Sequence, residues 1–158
     1  MDISDRFEIE DLIVRYTEAI DRKDWDLLDT VFLPTSVLDY STSGGSDAVG
    51  DYPTMKAWLQ GALALFPMTQ HMVGKTYYTE ESADRVVGRT LFHNPMGMPV
   101  DDAGRYDPNG SGLHVFVVGG WYNDTCVRTP DGWRIERKYE EQAFMQGGMP
   151  EGLAIPGA

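Results

Sequence analysis

Three side chains far apart in the chain have acid–base potential: Tyr16, Asp21 and His71. Histidine ordinarily titrates near neutrality, so it can take up a proton at physiological pH and release it again. A carboxylate against one ring nitrogen fixes the tautomer and orientation of the imidazole. A phenol can donate a hydrogen bond to an oxygen that gains charge. Gathered in an apolar interior, the three would remove a proton from carbon and assist a departing group, which is the chemistry of elimination.

Tyr16 and Asp21 must be positioned by the first helix. Ile9, Leu12, Ile13, Tyr16 and Ile20 recur at helical spacing, which predicts a helix from about Ser4, as N-cap, to Arg22. Tyr16 lies in the middle of the apolar stripe. Asp21 is about 100° round from Ile20, on the flank. The helix end must turn it inward; otherwise it is a solvated charge beside Arg22, Lys23 and Asp24. Asp24 reads as the N-cap of a second short helix through Trp25, Leu28 and Phe32, stopped by Pro34. A short strand over Ser36–Ser41 and a loop over Ser43–Asp51 follow, then a third helix over Thr54–Phe66 that ends at Pro67.

Beyond Pro67 the pattern is that of strands: Thr69–Thr79, Asp84–Asn94, Leu113–Val127 and Trp133–Phe144, with a hairpin turn at Thr129-Pro130-Asp131-Gly132. Thr69, His71, Val73 and Lys75 share one face, and alternation alone leaves open whether that face is concave. Gly119-Gly120 predicts a bulge that bends the sheet. Helices ahead of an antiparallel meander make the fold class α+β. The expected organisation is one domain over residues 1–145 with a Gly/Pro-rich tail over 146–158. The tail and a loop over Pro95–Gly112 are expected to cover the opening of the interior.

Composition narrows the function classes. The 158 residues carry a net charge of −12, with no Lys/Arg cluster to offset it. Such a polyanion is repelled by nucleic acids and anionic lipid surfaces, so neither is an expected partner. The acidic N-terminus does not read as a signal peptide, no stretch approaches the ~20 apolar residues of a membrane span, and the single Cys126 fits a reducing, cytoplasmic setting. Cys126 reads as a small core thiol. There is no GxGxxG, GxxxxGKS, CxxC or GxSxG motif. His71, His93 and His114 lack the spacing of a metal site, so neither metal nor cofactor is expected.

The segments IEDLIVRYTEAIDRKDWDLLDTVF, TQHMVGKTYY and GGWYNDTCVRTPDGWRIERKYEE carry a resemblance over nearly the whole chain. In that order they resemble the SnoaL-like branch of the NTF2-like superfamily, and within it the group of scytalone dehydratase, bile acid 7α-dehydratase and hexachlorocyclohexane dehydrochlorinase. The resemblance implies a cone-shaped α+β barrel in which a curved, mostly antiparallel sheet wraps a long helix. It also implies an Asp–His dyad, Asp21 and His71, with Tyr16 as the helix phenol five residues before the aspartate, acting without metal or cofactor.

The expected activity is that of a cofactor-independent dehydratase-like lyase on a mid-sized, largely apolar small molecule. Two alternatives stand beside it: a ketosteroid-isomerase-like or polyketide-cyclase-like enzyme, and a non-catalytic ligand-binding or assembly module such as a dioxygenase small subunit. Tyr40, Phe116 and Tyr122 are expected nearest the ligand, with His93 and His114 as pocket candidates; Arg128 and Arg137 are either anion stabilisers or solvent-side charges. A homo-oligomer, trimer or dimer, is expected from the outer face of such a sheet.

Overall fold

Asp2 starts the first helix, α1 (Ile3–Arg22). Its carboxylate accepts from the Asp5 N–H at 3.0 Å, and the Asp5 carboxylate accepts from the Asp2 N–H at 3.1 Å. This reciprocal box satisfies two orphan amides at once, which is why the helix begins at Asp2 and not at Ser4. Ile9, Leu12, Ile13, Tyr16, Ala19 and Ile20 form its buried stripe. Lys23, in the left-handed conformation at φ 56°, terminates it.

The computed structural model describes residues 1–153. After α1 come α2 (Trp25–Asp29), β1 (Phe32–Asp39), α3 (Ser41–Gly44), β2 (Val49–Asp51) and α4 (Tyr52–Leu63). Asp24 caps α2 through the Leu27 N–H at 3.0 Å. Phe32 is not in α2. It opens β1, opposite Ile135. The segment over 43–51 contains the end of α3 and all of β2. Helix α4 starts two residues before Thr54 because Asp51 caps it and Pro53 fits its first turn.

The remaining strands are β3 (Met68–Thr69), β4 (Met72–Glu81), β5 (Arg85–Val100), β6 (Gly112–Thr129) and β7 (Gly132–Gln146). They form one sheet in the order β2-β1-β7-β6-β5-β3, with β4 also on β5. Among the described strands only the β1–β7 pairing is parallel. The sheet curves strongly around α1 without closing. Register shifts on both β6–β7 and β4–β5 bend it, including one at Gly119/Gly120. A Cβ on Gly120 would meet the Glu141 carbonyl oxygen at 2.0 Å, so only glycine fits there.

Strand β5 runs through Pro95 and Pro99 to Val100, so the connecting loop is 101–111 and not 95–112. The Pro95 carbonyl accepts from the Gln70 N–H at 3.1 Å. An extended residue points its N and its carbonyl to the same side, so the missing Pro95 N–H falls where β3 and β4 are interrupted, and no bond to β6 is lost. Residues 147–153 fold back on that loop, with the Tyr106 N–H donating to the Glu151 carbonyl at 2.7 Å. The rest of the expected tail, 154–158, lies outside the described residues.

The far end of α1 is tied down by Asp5, which is 5 % exposed. It accepts from the Arg128 guanidinium and from Trp133 Nε1 at 3.2 Å, while Arg128 covers the Trp133 ring at 4.7 Å. The Arg128 hydrogen bond holds the Asp5 carboxyl at about 2, below its ordinary 3.8. A depressed carboxylate stabilises the fold above its ordinary value, and that contribution disappears as pH falls through about 2. Asp5→Asn should therefore lower stability at pH 7 and flatten its decline between pH 4 and 2. Chemical denaturation across that range checks this, and an unchanged acid limb would count against it.

Candidate active site

Strands β3 and β4 keep a single register against β5, with Thr69 opposite Met96 and Met72 opposite His93. Between them the ladder breaks at Gln70–His71. The His71 N–H turns away from β5 and donates to Asp21 Oδ2 at 2.7 Å. The His71 ring Nδ1 lies 2.6 Å from Asp21 Oδ1. Position 71 faces buried Asn94, which puts the imidazole on the concave face that encloses α1. The left-handed turn at Lys23 leaves Asp21 in the last helical turn, aimed at the break in the strand. Burial works to raise the Asp21 carboxyl, but the hydrogen bonds and charge of His71 outweigh it, so the carboxyl sits below its ordinary value.

The His71 side chain is 4 % exposed and that of Asp21 19 %, so the dyad meets solvent mainly through the carboxylate. The His71 ring lies 6.5 Å from Phe92 and 6.2 Å from Tyr122, and those two rings stack at 4.3 Å. Tyr16, 2 % exposed, shares a 2.9 Å hydrogen bond between its hydroxyl and that of Tyr40. Trp58 stacks on Tyr40 at 5.9 Å. Burial, reinforced by neighbouring acidic groups, raises all three phenols (Tyr16, Tyr40 and Tyr122), so they remain neutral donors at physiological pH. Among the described residues the buried Tyr122 hydroxyl meets no hydrogen-bond partner, an exception among buried polar groups.

Other expected residues fall elsewhere. His93 alternates with Phe92 and so projects from the opposite, outer face, where its ring meets Phe144 at 6.4 Å. His114, at the start of β6, lies 3.0 Å from the Gly148 carbonyl through Nε2 and holds the C-terminal segment. Phe116 is core, packed against Phe66 at 5.8 Å. Arg128 belongs to the Asp5 cluster. Arg137 is exposed on the outer face. Cys126 is buried, and burial pushes its thiol far up, which fits a core thiol.

Sequence reading missed Lys138, Asp124 and Glu140. Buried Trp133 and Ile135 alternate as in a regular strand, which would make Arg137 the next inward residue. A register shift beside Cys126 inserts one residue and flips the phase, so Lys138 and Glu140 point inward instead. Lys138 Nζ meets both Asp124 oxygens at 3.1 Å and stands 3.9 Å from the Tyr16 ring centroid and 3.8 Å from that of Tyr122. Burial lowers the ammonium and raises the carboxyl. Two charge-assisted hydrogen bonds and two ring faces compensate.

The sequence matches the SnoaL-like domain over residues 1–139. The chain belongs to the SnoaL-like domain family. Among relatives of this SnoaL-like chain, the uncharacterized protein Rv2910c of Mycobacterium tuberculosis is 40 % identical over 145 residues, covering 92 % of this chain and 90 % of the relative. The crystal structure of Kfla4162 from Kribbella flavida superposes with a TM-score of 0.76 at 25 % identity, over 90 % of this chain and 93 % of that one. The type 2 hexachlorocyclohexane dehydrochlorinase LinA shares the fold, with a TM-score of 0.74 at 14 % identity over 99 % and 97 % of the two chains. No described helix is long and apolar enough to cross a membrane.

A buried ion pair responds asymmetrically to mutation. Lys138→Met or Asp124→Asn alone leaves a charge stranded among aromatic rings and should cost about 3–5 kcal/mol, whereas Lys138→Met with Asp124→Leu should recover most of it. Urea denaturation of the three variants measures this. Single-variant losses under about 1 kcal/mol would mean that the pair does not act as buried charges.

Proposed function

We propose that this SnoaL-like protein is a cofactor-independent lyase that removes water, or a comparable leaving group, from a mid-sized and largely apolar organic molecule. The observation that carries the reading is the two-point contact of Asp21 with His71, at 2.6 Å to the ring and 2.7 Å to the backbone, against a wall of aromatic rings. Asp21 orients the imidazole so that its other nitrogen faces the interior as a base. His71 takes a proton from carbon. Tyr16, in its hydroxyl pair with Tyr40, supports an oxygen that gains charge. The dehydrochlorinase of the same fold supports a lyase reading at the level of architecture.

The His71 side chain is almost wholly covered, so a substrate reaches it only when the surrounding rings move aside. Two surface hollows, at Arg22–Asp26 and on the outer face beside Asp39 and Tyr139, are lined by neither dyad residue. An isomerase of the same fold would use the same base without losing a group, and product mass separates the two. His71→Ala and Asp21→Asn should each lower turnover of β-hydroxy carbonyl compounds about 10²–10⁴-fold while thermal unfolding stays cooperative. Retained turnover in both variants would sink the reading.

A homo-oligomer, dimer or trimer, is part of the same proposal. Leu91, Leu113, Val115 and Phe144 are 54, 48, 47 and 45 % exposed on the outer face of the sheet, an apolar surface that a second copy would cover. Sedimentation equilibrium should give a dimer or trimer for the wild type and a shift toward monomer for Leu91→Lys. A wild-type monomer at micromolar concentration excludes it.

A further inference from the structure

Glu140 is an ionisable group on the concave face that neither the dyad chemistry nor the Lys138–Asp124 pair uses. It stands directly opposite Tyr122 in the β6–β7 register, where facing Cβ atoms lie about 4.5–5.5 Å apart. The ring of Tyr122 is 6.2 Å from that of His71, which places Glu140 one strand beyond Tyr122 on the same face. Its Oε1 accepts from Ser43 Oγ at 2.6 Å, and its backbone carbonyl accepts from Thr42 Oγ1 at 2.7 Å, so α3 is pinned above it.

Among the described residues no cation pairs with Glu140. The nearest in sequence, Lys138, is committed to both oxygens of Asp124. The titratable groups around Glu140 are Lys138 on its own strand, Tyr122 on β6, Tyr16 on α1, Tyr40 after β1 and His71 before β4. Burial raises its carboxyl above the ordinary range, against the opposing pulls of Ser43, Lys138 and His71. Two carboxyls in one interior are thus pushed apart, Asp21 downward beside its histidine and Glu140 upward, which is the pattern that separates acid from base in one site.

We propose that Glu140 is a second catalytic residue: the carboxylic acid that protonates the departing oxygen, on a substrate whose leaving group is a hydroxyl β to a carbonyl. This rests on the reading of His71 as the base. The carbon-bound proton goes to His71 and its electron pair becomes the new C=C bond. The C–O bond breaks with its pair on oxygen, and the Glu140 proton completes a molecule of water. Imidazolium and carboxylate are reset by proton exchange with solvent, which the part-buried Glu140 still reaches. The paired hydroxyls of Tyr16 and Tyr40 are then left for the carbonyl oxygen.

The test compares two substrates of one carbon skeleton, a phenyl-substituted β-hydroxy ketone and its β-(4-nitrophenoxy) counterpart, whose nitrophenolate leaves without a proton. Glu140→Gln should lower water elimination about 10²–10³-fold and leave nitrophenolate elimination within about threefold of wild type. Equal loss on both substrates, or loss on neither, overturns the proposal. Infrared difference spectra at pH 7 give a readout independent of turnover: a protonated carboxyl band present in wild type and missing from Glu140→Gln supports it, and its absence from wild type overturns it. If His71→Ala eliminates nitrophenolate at the wild-type rate, the base assignment falls, while the leaving-group contrast in Glu140→Gln still decides the acid. Turnover of neither substrate by wild-type protein overturns both.

Discussion

The site depends on one carboxylate making two hydrogen bonds to one residue. Asp21 holds the His71 backbone and ring together, and in doing so joins the end of α1 to a gap in the sheet. Both parts break local rules. An acidic side chain in the last turn of a helix sits at the negative end of the helix dipole. A strand interrupted in mid-register gives up ladder bonds. Each irregularity supplies what the other lacks: the stray amide and imidazole need an acceptor, and the misplaced carboxylate needs donors. Such paired violations are where function usually resides in an otherwise consistent fold.

Much of this was legible in the sequence. Helical spacing placed Tyr16 inward, the Thr129–Gly132 turn was found, and the order of helices then strands gave the α+β class. Residue type, together with resemblance to the family to which the chain belongs, singles out Asp21 and His71. Their approach was not readable, because Asp21 reaches inward only through the left-handed turn at Lys23, and His71 faces inward only because β3 and β4 share one register. Lys138 and Glu140 were hidden for a different reason. Periodicity assumes an unbroken phase, and one inserted residue on β7 exchanges the inward and outward sets. His93 fell to the same limit in reverse, since nothing in a lone sequence says which of two alternating faces is concave.

The concave face is polar as well as aromatic. Across its middle run Asp124 and Lys138, then Tyr122 and Glu140, then Phe92 and Gln142, with Tyr16 and Tyr40 above them. An ammonium between two phenol rings fixes where those rings lie, because moving either would expose an uncompensated charge. Hydrophobic burial supplies the cohesion of such an interior, and the polar network supplies its geometry.

The parallel pairing of β1 with β7 has a consequence for how this molecule is made. Phe32 meets Ile135 and Asp39 meets Tyr139, so β1 waits for a partner about a hundred residues downstream. Tyr40, which follows β1 directly, cannot reach Tyr16 in its final setting until that partner has arrived. During synthesis, α1 and α4 would emerge with their apolar stripes uncovered, and the sheet would grow toward β1 from the far side as successive hairpins formed. Closure of the loop between β1 and β7 is the entropically slow, non-local event. The phenol pair would thus be assembled among the last contacts of folding, and a nascent chain short of its final strand would hold both tyrosines without joining them.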